Sequence, residues 1–135
     1  MDGEKLVGVA AVCDKTGNSW YAKGKFAYMG FAGVLPEYKG LGIYNELIKV
    51  REEFVKYHGY KVMTFDTHQN NIQVQKVALK NGYHYVSFFQ AASKDHYSVI
   101  MAKWLDGCPY SDLYCKMKFY ISKFKTLLIT KILHR

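Results

Sequence analysis

Apolar positions along this 135-residue chain follow two periods. Leu6-Val7-Gly8-Val9-Ala10-Ala11-Val12-Cys13 is a continuous apolar run and predicts a buried strand. Asp14-Lys15-Thr16-Gly17-Asn18-Ser19 collects turn formers and predicts the turn after it. A second extended segment begins at Trp20, continues to Val34 and is bounded by Pro36; the two segments should pair antiparallel. Leu47, Ile48, Val50, Phe54 and Val55 then recur at helical spacing, so a helix starts near Ile43. Leu47, Ile48, Phe54 and Val55 form its apolar face, with Lys49, Arg51, Glu52, Glu53 and Lys56 opposite.

Lys61 to Thr67 predicts a third strand, entered through a loop at His58-Gly59-Tyr60. Asn70 or Asn71 caps the next helix, whose buried stripe is Ile72, Val74, Val77, Ala78 and Leu79. Asn81-Gly82 ends it, Gly82 being suited to a left-handed C-terminal position. Tyr83 to Gln90 and Tyr97 to Leu105 predict strands joined as a hairpin. The strand–helix alternation argues an α/β fold. After Leu105, Asp106-Gly107-Cys108-Pro109 breaks the strand, and Ser111 or Asp112 caps a short helix. From Lys116 to Arg135, lysines mix with apolar residues as a basic amphipathic helix. The preferred expectation is a helix packed on the sheet or on a second subunit, as in a homodimer; peripheral contact with an anionic membrane is the alternative.

Composition narrows the class. One domain with a real core fits this length. Half of the residues are hydrophobic, yet no apolar run approaches the ~20 residues of a membrane span. The polar, acidic start Met1-Asp2-Gly3-Glu4-Lys5 does not resemble a signal segment. Cys13, Cys108 and Cys115 lack metal-ligand spacing, so no metal is expected; free thiols in a reducing cytoplasm are the expectation. The net charge of +8 suits a polyanionic partner. A nucleic-acid partner is not expected, because the aromatics sit mostly at core spacing without a recognisable basic–aromatic motif.

The chemistry concentrates at Glu37 to Asn45. A strand, a turn carrying Gly40 and Gly42, and a helix start make an anion site: first-turn N–H groups and the helix dipole favour negative charge, and glycines let a phosphate approach the backbone. Val34-x-Pro36-Glu37-Tyr38-Lys39-Gly40-x-Gly42-Ile43 resembles the acetyl-CoA pyrophosphate loop of the GCN5-related N-acetyltransferase (GNAT) family. Lys39 stands where that loop usually carries Arg or Gln, Gly42 at its central Gly, and Tyr44 at its final small position. Asn71 followed by Val77-Ala78-Leu79-Lys80-Asn81-Gly82-Tyr83 resembles the family's second signature.

The resemblance spans roughly Lys5 to Leu105 and implies an acetyl-CoA-binding domain over residues 1–105, followed by a helical tail over 106–135. It implies a mixed, mostly antiparallel twisted sheet flanked by helices, here with the extra C-terminal helix. It implies acetyl-CoA as co-substrate, held by Val34, Leu35, Lys39, Gly40, Leu41, Gly42, Ile43, Tyr44, Asn45 and Asn71. A bulge in the strand carrying Gly33-Val34-Leu35 would splay it from a parallel neighbour at Met63 to Asp66, and an N–H near Val34 would polarise the thioester. By the same comparison, the family's first two strands and the helices between them fall before Met1, as in a C-terminal portion of a longer protein or a reduced family member.

Acetyl transfer to a primary amine is the implied reaction; an amino sugar or another small molecule is the first expectation, with a polyamine or a protein N-terminus open beside it. His68 and Asp66, just after the central strand, are candidates for the base. Tyr28, Tyr44 and Tyr85 are possible proton donors, whereas Ala78 occupies the position at which the family often carries a Tyr general acid. Thr67-His68-Gln69-Asn70-Asn71 resembles a subgroup acting on nucleotide-linked amino sugars. The competing class is a non-catalytic domain that binds coenzyme A or a partner.

Overall fold

The computed structural model describes residues 8–34, 37, 40–90 and 96–133. In chain order the elements are β1 (Gly8–Asn18), β2 (Lys23–Val34), α1 (Ile43–Tyr57), β3 (Val62–His68), α2 (Ile72–Lys80), β4 (His84–Gln90), β5 (Tyr97–Trp104) and α3 (Asp112–Leu133). The strands form one five-stranded sheet in the order β1-β2-β3-β5-β4. This is the mixed α/β architecture expected from the sequence, with its extra C-terminal helix. The chain forms two compact units, Met1–Met63 and Thr64–Arg135.

In the first unit β1 and β2 pair antiparallel from Gly8↔Val34 to Asn18↔Lys23. The expected turn at Asp14–Ser19 is therefore largely strand. Each residue from Asp14 to Asn18 has a β2 partner, and this ladder outweighs the local turn preference of Asp, Gly and Asn. The chain reverses later, where both the N–H and the hydroxyl of Ser19 donate to the Ala22 carbonyl. The β1/β2 register shifts between Ala10↔Ala32 and Val12↔Met29, leaving Gly30 and Phe31 opposite Ala11. This bulge lies in the strand that carries Gly33 and Val34, where one was expected; Leu35 lies outside the described residues.

Ala27 and Met29 alternate into the core of β2, and α1 packs on this hairpin with Val55 fully buried. Leu47 and Ile48 are half-buried, but Phe54 is 52% exposed and tilts onto His58. The apolar face of α1 is thus narrower than its sequence suggests. At its C-terminus Gly59 takes φ 82°, and the N–H groups of Gly59 and Tyr60 return to the Lys56 and Val55 carbonyls. That Schellman arrangement satisfies carbonyls the helix would otherwise strand.

The second unit repeats the device. Gly82 takes φ 90°, while the Gly82 and Tyr83 N–H groups donate to the Leu79 and Ala78 carbonyls. Along α2 the buried residues are Gln75 and Ala78; Ile72 and Leu79 are half or nearly half exposed. Hydrophobic spacing misplaces the stripe because Gln75 is buried for its hydrogen bonds. β4 and β5 pair antiparallel, with Val86 bulged between Tyr85↔Met101 and Ser87↔Ile100. Residues 91–95, the expected hairpin connection, lie outside the described residues.

α3 is one continuous helix, not a short helix followed by a second. Ser111 caps it through the Tyr114 N–H. It packs on β4, the edge of the sheet, and supplies partners to the edge backbone. The Phe88 N–H donates to Ser122 Oγ at 3.0 Å, while the Ser122 and Thr126 hydroxyls donate to the Phe88 carbonyl at 3.2 and 2.8 Å. An edge strand is thereby closed by side-chain hydroxyls. Nearby, the Cys108 and Cys115 sulfurs lie 3.8 Å apart. Burial pushes the Cys115 thiol up to about 11, with Cys108 and Asp112 adding in the same direction.

Three outcomes follow. Gly82→Ala should lower stability by about 1–2 kcal/mol, read as a fall of roughly 3–8 °C in Tm, because alanine resists positive φ. Ser122→Ala should cost about 1–3 kcal/mol in denaturant unfolding, since it leaves the Phe88 N–H without its hydroxyl partner. At pH 8, iodoacetamide should modify exposed Cys13 well before Cys115, as followed by peptide mass spectrometry. The neutral thiol is the favoured folded form, so its stabilisation is complete below the unfolded value near 9 and fades as pH rises towards 11.

Candidate functional site

The glycine turn of the first unit leads into α1. Gly40 and Gly42 have φ of 84° and 80°, a region that strongly favours glycine. A Cβ built on either meets nothing within 4 Å, so the space above the turn is open. Gly42 is the N-cap of α1 and lends it no side-chain bond. The first helical bond runs from the Glu46 N–H to the Gly42 carbonyl at 3.1 Å. The N–H groups of Ile43, Tyr44 and Asn45 precede that bond and lie at the positive end of the helix dipole. Glu46 opposes an anion there, but its carboxylate pairs with Lys49 at 3.5 Å. Gly40, Leu41, Gly42 and Asn45 are exposed. Lys39 and Leu35 lie outside the described residues, and Val34 ends β2.

This donor set fits a pyrophosphate. It offers consecutive backbone N–H groups, no Cβ on the glycines, and open space for a bulky anion. It would hold the diphosphate of coenzyme A, whose acetyl thioester supplies the activated acyl group.

In the second unit, the predicted residues cluster where β3 passes into α2. His68 Nδ1 accepts the Asn70 N–H at 3.0 Å, and its ring stacks on His96 at 4.4 Å between centroids. That acceptor bond leaves the proton of a neutral imidazole on Nε2. In this geometry His68 presents a donor, and its basic lone pair is engaged with the backbone. Asp66 precedes it by two residues on β3. Asn71 is the N-cap of α2, but its amide donates to Thr67 Oγ1 at 3.1 Å and does not close the helix end.

Gln75 was missed by hydrophobic spacing and holds this turn. Only 5% exposed, it donates from Nε2 to the His68 and Gln69 carbonyls at 3.2 and 3.0 Å. Its Oε1 accepts the Tyr85 hydroxyl at 2.8 Å. Burial pushes the Tyr85 phenol above its ordinary value, keeping it a neutral donor. Tyr85, a candidate acid, is therefore engaged in positioning Gln75. The remaining signal in the sequence was a glutamine amid the apolar positions of a helix. Gln75 and Tyr85 also line a cleft of about 620 Å³ between α2, β4 and α3, together with Phe88, Phe119, Lys116 and Lys123.

Among the described residues, no cluster of three or more His, Cys, Asp or Glu side chains is placed to hold a metal. Tyr28 carries Lys15 over its ring at 3.9 Å. Ala78 is buried at 5% exposure, in the position where the sequence resemblance would place an acid.

The profile of the acetyltransferase (GNAT) family matches residues 1–83. No curated protein sequence matches the chain. Many solved structures share its fold, among them three acetyltransferases. The ribosomal-protein-S18-alanine N-acetyltransferase of Escherichia coli superposes with TM-score 0.62 at 12% identity, covering 82% of this chain and 69% of that one. The IAA acetyltransferase of Bacillus cereus gives 0.63 at 16%, covering 77% and 73%. A GNAT family acetyltransferase from Elizabethkingia anophelis with acetyl-CoA bound gives 0.64 at 13%, covering 77% and 72%. At these identities the structures speak to fold; the profile covers more than half of the chain, and the chain belongs to the GNAT acetyltransferase family.

Proposed function

We propose that this chain is an N-acetyltransferase that binds acetyl-CoA through Lys39 to Asn45 and transfers the acetyl group to a primary amine of a small molecule. The observation that carries this reading is the open Gly40–Gly42 turn presenting the uncapped N-terminus of α1. Family membership and a neighbour with acetyl-CoA bound support it.

In the reaction, the amine nitrogen bonds to the acetyl carbon, the carbon–sulfur bond breaks, and the ammonium loses a proton as the thiolate gains one. Asp66 is the base in this reading. His68, carrying its proton on Nε2, serves as donor; the family's tyrosine position is filled by buried Ala78, which cannot donate. Val34 supplies the N–H near the thioester carbonyl, and Asn71 lies beside the pantetheine arm. An amino sugar is the first acceptor to try, following the Thr67–Asn71 resemblance. Ala78 also favours a second reading, a domain that binds coenzyme A without turnover.

Calorimetric titration should give micromolar affinity for acetyl-CoA. Gly42→Asp should weaken it at least tenfold, because the substitution strains a positive-φ residue and sets a carboxylate against the diphosphate. Circular dichroism checks the variant's fold. Absent binding by the unmodified protein would contradict the proposal. Thiol release with an amine panel then separates the two readings: turnover supports the transferase, and binding without turnover supports the non-catalytic domain. His68→Ala should lower kcat by about 10²-fold while leaving acetyl-CoA affinity unchanged.

A further inference from the structure

We propose that α3 seats this protein on an anionic phospholipid surface, lying in the plane of the interface. The helix reverses the usual arrangement, in which apolar side chains face the protein. Its side toward β4 carries Ser122 and Thr126, bonded to the Phe88 backbone, with buried Cys115 and half-buried Phe119 beside them. Six of its large apolar residues are turned outward, whereas Phe119 packs on Tyr85 and Phe88 and exposed Ile129 falls near the Ser122 side. Leu113 is 77% exposed, Phe124 68% and Tyr120 62%, and Met117, Leu127 and Leu128 are exposed as well.

At about 100° per residue, those six side chains fall within an arc of roughly 100° opposite Ser122. Lysines flank this arc: exposed Lys116 and Lys125 stand nearest its two margins, while half-buried Lys123 sets its Nζ 5.5 Å from the Phe88 ring and half-buried Lys118 its Nζ 5.7 Å from the Tyr114 ring. Lys131, one turn after Leu127 and Leu128, lies on the arc itself, opposite Ser122, and closes the apolar stripe at its C-terminal end. The helix has five lysines and a single carboxylate, Asp112.

Charge complementarity selects the occupant. An anionic bilayer offers acyl chains to the apolar arc and phosphates to the flanking lysines, whose flexible alkyl stems let the ammonium groups reach the headgroups. A second copy set stripe to stripe would bring lysine margins against each other, where like charges repel. A nucleic acid would satisfy the lysines and leave the apolar arc uncovered. No described helix is long and apolar enough to cross a membrane, which agrees with α3 lying along it. Docking disturbs nothing in the fold, because the hydroxyls that hold β4 face away from the lipid. The proposal is independent of coenzyme A binding.

The test is co-sedimentation of the full chain with vesicles of phosphatidylcholine alone and with about 30% phosphatidylglycerol, at about 0.1 M salt. Partition onto the anionic vesicles should be at least tenfold stronger. Phe124→Asp with Leu128→Asp should reduce it at least tenfold, with helicity and Tm unchanged, because both side chains are exposed. Replacing Lys116, Lys118, Lys123 and Lys125 by Gln should cause a similar loss without touching the apolar arc. Failure to bind anionic vesicles would overturn the proposal, as would binding indifferent to the aspartates or the glutamines. A solution dimer that the aspartate pair converts to monomer, with no vesicle binding, would assign the stripe to a second copy instead.

Discussion

A folded backbone must find a partner for every N–H and C=O it withdraws from water, and helix ends and sheet edges are where the supply runs short. This chain answers that demand at most of its exposed points. Gly59 and Gly82 fold the last turns of α1 and α2 back on their own carbonyls. Ser111 closes the start of α3. Ser122 and Thr126 reach the Phe88 backbone at the β4 edge. The contrast falls at two helix starts: neither Gly42 at α1 nor Asn71 at α2 gives a capping side-chain bond, and at α1 a positive φ also holds the turn open. A phosphate would supply the missing acceptors, and the dipole would favour its charge.

The same accounting explains α3. Its protein side is spent on hydroxyls because the β4 edge needs hydrogen-bond partners, and Leu, Ile or Phe would supply none. The apolar side chains are consequently left on the outer face, between lysines. Gln75 is the counterpart inside the second unit. One buried amide ties the His68 and Gln69 carbonyls to the Tyr85 hydroxyl, fixing the β3–α2 turn through hydrogen bonds where the sequence pattern implied apolar packing.

What the sequence disclosed, and what it hid, follow from these demands. The Gly40-x-Gly42 turn, the Ile43 helix start and the Asn81-Gly82 stop were legible because glycine at positive φ leaves a local signature. The strand through Asp14–Asn18 was not, since its cause is pairing with Lys23–Ala27 across the hairpin, which overrides the turn preference of its own residues. Phe54, Ile72 and Leu79 looked like core by spacing yet are exposed, whereas polar Gln75 is buried. At the site, the positions of Asp66, His68 and Asn71 were legible, but their engagements were not. The His68 ring bonds the Asn70 N–H and stacks on His96, which lies beyond α2 and β4 in sequence, just before β5.

The central claim is that the start of α1 is an anion cradle. Its most direct test is an amide ¹H–¹⁵N titration of the labelled protein with coenzyme A. The account predicts that the largest shifts fall on the N–H groups of Ile43, Tyr44 and Asn45 and of the adjoining Gly40 and Gly42, saturating together. Saturable shifts concentrated elsewhere, with these five amides unmoved, would contradict it.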